Sequence, residues 1–96
     1  MAELKLVSKR KYQLKPLIKT ALLNELRLLD AGMRRTEQRL SEFEAKYHLA
    51  TKDFISRYEN DEIKETLDFD EWVGEFRMWK RFKEKIETLK DVQFAN

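Results

Sequence analysis

The chain has 96 residues, with 20 Lys and Arg against 18 Asp and Glu, a formal charge of +2; it is 40% charged and 42% hydrophobic. One small domain fits that length, and the balance is too apolar for a disordered tail and too charged for a membrane protein. The absence of Cys excludes disulfides, zinc thiolate sites and Cys nucleophiles, and two Gly with one Pro cannot supply the turns of a sheet-rich fold.

The first stretch, residues 1–15, is a basic arm ahead of a helical domain spanning 16–96. Residues 1–20 hold six positive charges and one negative. No apolar h-region follows the charged N-terminus, so no signal peptide and a cytoplasmic location are expected. Leu4 and Leu6 alternate with Lys5, and Tyr12 and Leu14 with Gln13, which leaves an edge strand, a loose arm or a basic helical extension open. Lys15-Pro16 then marks a boundary, because the residue before Pro avoids the α region and Pro suits a first helical turn.

A long helix is expected from about Pro16 to Tyr47. Leu22, Leu26, Leu29, Met33, Thr36, Leu40, Phe43 and Tyr47 follow one another in alternating steps of four and three. That is a heptad stripe, which a strand with its period of two cannot generate. Thr36 is the polar position in the stripe. Gly32 lies inside the helix at a cost of about 1 kcal/mol relative to Ala, with a kink or break as the alternative to continuity. Before Met33 the apolar residues spread round the helix, and Leu23 and Leu28 lie well off the stripe. A helix that is apolar on more than one side contacts more than one neighbour.

His48-Leu49-Ala50 reads as a connector. Thr51 is expected to cap a short helix carrying Phe54, Ile55 and Tyr58 and ending near Asn60. Asp68, with Glu71 three residues on, is expected to open the last helix as a capping box. Its stripe is Phe69, Trp72, Phe76, Trp79, Phe82, Ile86 and Leu89, with Val92 the next position if the helix runs that far and Lys80, Arg81, Lys83, Lys85 and Lys90 toward its C-terminal half. The expected fold is all-α: a long antiparallel helical hairpin with a short intervening helix, completed into a bundle by dimerisation or by a partner.

Signals for chemistry are sparse. Glu44 and His48 could face one way four residues apart, but a metal site needs further ligands. The acidic groups around Glu59 and Asp68 suit helix ends better than a calcium loop, which would need its Gly. No phosphate loop, dinucleotide fingerprint or nucleophile elbow is present. The expectation is therefore no catalytic, cofactor or metal residues and no small-molecule substrate. Leu23, Leu28, Trp72, Phe76 and Trp79 are the candidate partner-binding residues, although aromatics at helical spacing also build cores. Lys9, Arg10, Lys11 and Lys15 are the candidate contacts for nucleic-acid phosphates, with Tyr12 available for stacking.

One block has a wider echo. Phe43-Glu44-x-Lys46-Tyr47, Thr51-x-x-Phe54, Arg57-Tyr58-Glu59, Asp68-Phe69-x-Glu71-Trp72 and Met78 resemble a group of small prokaryotic helical proteins. That group resembles the upstream, antitoxin-like partner of modules with a TumE-type minimal toxin. A Gly common between its short and last helices is replaced here by Asp61-Glu62-Ile63-Lys64. The resemblance implies an antitoxin-like subunit covering a small cognate protein. A homodimer is the other partner expected, and a nucleic-acid-binding accessory or autoregulator is the alternative function.

Overall fold

The computed structural model describes residues 4–92, apart from the side chains of residues 11 and 12. It is all-α, an antiparallel hairpin built from α1 (Lys11–Tyr47), α2 (Thr51–Glu59) and α3 (Leu67–Lys90). Its long axis measures 58 Å against 23 and 17 Å across. Among the described residues there is no strand, so the edge-strand reading of the arm does not hold for residues 4–10, which lack regular structure.

The long helix begins at Lys11 and not at Pro16, and Pro16 lies within it. Its opening turn is held without the proline: the Arg10 carbonyl accepts from the amides of Gln13 and Leu14, and the Arg10 amide donates to Ser8 Oγ. Pro16 leaves only the carbonyl four residues back without its helical partner, in a turn at the open tip of the rod. The helix then runs unbroken through Gly32. A Cβ at Gly32 would lie 2.7 Å from Phe82 Cζ, so α3 approaches α1 there more closely than any other residue type permits.

Facing residues show the antiparallel sense. Tyr47 meets Phe69, Phe43 meets Trp72, Glu37 meets Trp79 and Gly32 meets Phe82. The core of this seam is Leu40, Phe43, Phe54, Trp72 and Val73, with Tyr47, Ile55, Tyr58, Phe69, Phe76 and Trp79 packed against it. Trp72 is the centre. Its ring stacks on Phe54 with centroids 3.9 Å apart and planes 3° from parallel, and its Nε1–H donates to Thr51 Oγ1 at 3.0 Å. Thr36, the polar member of the stripe, is buried and donates its hydroxyl to the Met33 carbonyl, so it is satisfied within its own turn.

Both expected caps shift by a residue or two. Ala50 is the N-cap of α2, while Thr51 turns inward to accept from Trp72. The Thr51 amide is capped instead by Glu44 Oε2 at 2.7 Å, a carboxylate delivered from the last turns of α1. Thr66, not Asp68, caps α3, its Oγ1 accepting from the Phe69 amide at 3.1 Å. Asp68 sits in the first turn and accepts from Lys46 Nζ and the Tyr47 hydroxyl, tying the start of α3 to the end of α1. Helix α2 ends in a Schellman arrangement: Glu62 N–H bonds to the Arg57 carbonyl and Asp61 N–H to the Tyr58 carbonyl, with Asp61 left-handed at φ 55°.

Helix α1 is 37 residues long and α3 is 24, so at 1.5 Å per residue α1 is the longer by roughly 20 Å. Given the facing pairs, this excess lies entirely at the open end, in the first three to four turns of α1.

Candidate interaction surface

The five residues proposed for partner binding separate into three environments. Trp72 is wholly buried in the chain's own core, stacked between Phe54 and Phe43, so it offers no surface to a partner. Leu23 and Leu28 are exposed, at 62% and 67%, and Leu17 joins them at 64%. Phe76 and Trp79 are half-buried on the rim of the seam.

Helical geometry assigns these residues to opposite flanks of α1. Leu17 and Leu28 are eleven residues apart, close to three whole turns, and share one flank with Arg35. That flank continues into an open groove of about 350 Å³ lined by Arg35, Gln38, Arg39, Glu42, Glu75 and Met78. Leu23, Asp30 and Glu37 follow in steps of seven along the other flank. It continues into a groove of about 280 Å³ lined by Glu37, Ser41, Glu44, Lys52, Phe76 and Trp79. Trp79 Nε1–H donates to Glu37 Oε2 at 3.2 Å, and Lys83 lies 5.3 Å from its ring centroid, so its polar edge is committed to the hairpin while part of its ring reaches solvent. Helix α2 packs its inner face on the Trp72 side, which leaves the open end of both flanks uncovered.

Charged side chains bracket this surface. Arg39 donates to Glu42 at 2.7 Å and to Glu71 at 2.9 Å, and lies 4.3 Å above the Phe43 ring centroid. The hydrogen bonds to Glu42 and then Glu71 raise its pKa, and they hold the guanidinium across the α1–α3 seam. At the connected end, the hydrogen bond from Lys46, followed by that from Tyr47, holds the Asp68 carboxyl below its ordinary pKa. The same oxygen, as acceptor, pushes the Lys46 ammonium and the Tyr47 hydroxyl up.

The candidate phosphate contacts spread along the arm. Lys9 and Arg10 are exposed in the segment before α1, with Arg10 at its N-cap. Lys11 is the first residue of α1, and its side chain and that of Tyr12 lie outside the described residues. Lys15 is half-buried within α1. His48 is exposed and left-handed at φ 52°, closing α1, while Glu44 is turned to the α2 amide. Among the described residues, no three His, Asp or Glu side chains are grouped to hold a metal ion. Every buried side-chain polar atom described has a partner. No described helix is long and apolar enough to cross a membrane. No family model matches the chain, and no curated protein and no solved structure matches it.

Proposed function

We propose that this chain is a non-enzymatic helical interaction module, an antitoxin-like subunit that covers a small cognate protein with the N-terminal half of α1. The observation that carries this reading is the exposure of Leu17, Leu23 and Leu28 on both flanks of a helix that outruns its own partner helix. Three large aliphatic side chains held in water on one stretch of helix represent several kcal/mol of unrealised burial, at about 1.5–3 kcal/mol each. A groove that receives the helix recovers that energy by taking anchors from both flanks. Phe76 and Trp79 extend the surface on the Leu23 flank, and Arg35, Arg39 and Glu42 set charge specificity on the Leu28 flank.

Co-expression with the product of the adjacent gene tests the reading. The tagged chain is expected to co-purify with that product, and L23S/L28S is expected to abolish co-purification while leaving the melting temperature unchanged. Failure of the wild-type pair to co-purify, or capture that survives L23S/L28S, removes the basis of the proposal. Self-association through the same leucines, detected by light scattering with no capture of the second protein, replaces the cognate partner with a second copy.

A further inference from the structure

The hairpin sorts its charge by end. Residues 36–75, which form the connected end, hold 12 acidic and 5 basic side chains, a net of −7. The remaining residues hold 15 basic and 6 acidic side chains, a net of +9. The sequence alone places this positive charge in two stretches far apart, the arm and the last helix. The antiparallel pairing returns the C-terminal half of α3 to the same half of the rod as the arm, with the roughly 20 Å overhang of α1 between them.

On α3, Phe76, Lys80, Lys83, Glu87 and Lys90 are separated by steps of three and four and form one stripe, with Glu87 its single acid. Lys80, Lys83 and Lys90 are exposed, as are Arg27 on α1 and Lys9 and Arg10 ahead of it. Lys80 and Lys83 lie 5.9 and 5.3 Å from the ring centroids of Phe76 and Trp79, which fixes two of the cations on half-buried aromatic supports. From Lys80 to Lys90 the stripe covers roughly 15 Å of helix axis. Duplex DNA presents about nine phosphate charges over that length. The acidic end begins at Glu37, which accepts from the Trp79 indole, so Lys80 and Lys83 stand at its border and Lys90 lies farthest from it.

We infer that the open end of the hairpin binds a nucleic-acid backbone, gripping phosphates with α3 lysines and the arm together and reading charge instead of base sequence. This site shares Phe76 and Trp79 with the leucine surface of the proposed function but uses neither Leu23 nor Leu28, so substitutions at the leucines and at the lysines test the two readings apart. The ligand chemistry is the phosphodiester chain, and duplex DNA and single-stranded RNA are its two sources.

Fluorescence anisotropy with a labelled mixed-sequence duplex DNA and a labelled single-stranded RNA, titrated between about 50 and about 200 mM salt, tests the inference. The full chain is expected to bind at least one probe, with log affinity falling by about 3 or more per log unit of salt. K80Q/K83Q/K90Q is expected to weaken binding at least ~10-fold at low salt and to flatten the slope by about 2. K9Q/R10Q is expected to flatten it by about 1 to 2, because a nucleic acid laid along the rod spans the overhang of α1 and reaches both groups of cations. Circular dichroism checks the fold of each variant, and K83Q/K90Q is read instead if the triple change disturbs it. L23S/L28S is expected to retain the wild-type slope, so failure here and failure of the leucine reading are distinguishable. Three results overturn the inference: no salt-sensitive binding of either probe, an α3 variant that binds as wild type, or salt-sensitive self-association in place of nucleic-acid binding.

Discussion

Trp72 concentrates the fold's stability in one side chain, and its removal gives the sharpest test of the core. The indole is fully buried, stacked on Phe54 at 3.9 Å and on Phe43 at 5.5 Å, with its N–H on Thr51 at 3.0 Å. Truncating a buried Trp to Ala costs about 3–5 kcal/mol. For a domain of this length the total is about 5–14 kcal/mol, so W72A removes about a fifth or more of it and lowers the melting temperature by roughly 12–40 °C. The hydrogen bond is separable from the packing. T51V keeps the shape but leaves the indole N–H buried without an acceptor, at about 1–3 kcal/mol. In W72F the donor is gone, so adding T51V to W72F is expected to cost less than T51V alone, with a coupling of about 1 kcal/mol. Urea titrations followed by far-ultraviolet circular dichroism on the four members of the cycle, and on W72A, supply the numbers. A W72A loss below about 1 kcal/mol, or a coupling of zero, refutes the assignment of Trp72 and Thr51 to one closed core.

Three further predictions follow from local geometry. G32A is expected to lower the melting temperature despite the ~1 kcal/mol helix gain of Ala over Gly, because its methyl meets the Phe82 ring, whereas G74A, with open space at the same point, is expected to raise it. D61G is expected to stabilise the chain by up to about 1 kcal/mol in a urea titration, because Asp61 holds the left-handed position that Gly occupies without strain. D68N is expected to lower the melting temperature at pH 7. The Asp68 pKa is depressed in the folded chain, so its contribution is present above the ordinary carboxylate pKa of about 3.9 and disappears as pH falls through the lower folded value, where wild type and D68N converge.

The hairpin was legible because periodicity is a property of the chain itself. Steps of three and four through Tyr47 and from Phe69 identify two helices wherever they end up packing, and their order with a compact connector makes them antiparallel. Helix ends were less legible. Pro16 is a strong local signal, but the turn before it is held by Arg10 and Ser8. Thr51 and Asp68 both have capping chemistry, yet each is claimed by a tertiary partner, Trp72 in one case and Lys46 with Tyr47 in the other. The acceptor for the Thr51 amide is Glu44, seven residues away across the connector, and no local pattern encodes that. Gly32 reads as a cost in sequence and as a contact with Phe82 in the fold. A glycine on the flank of an unbroken heptad stripe was the available sign of a close approach. Among the surface candidates, Leu23 and Leu28 were identifiable because they fall off the stripe. Trp72 was not separable from Phe76 and Trp79, because all three share the stripe and only the position of α2 decides which is enclosed.

The proposed function divides the rod into an end that folds by itself and an end that awaits a partner. Amide hydrogen exchange on the free chain measures that division directly. Residues 32–47 of α1, facing Trp72, Trp79 and Phe82, are expected to exchange only through global unfolding, while residues 13–28 exchange many-fold faster through local fraying. Uniform protection along the whole of α1 in a free monomer would contradict the proposed function, because the leucine-rich half would then need nothing further to complete it.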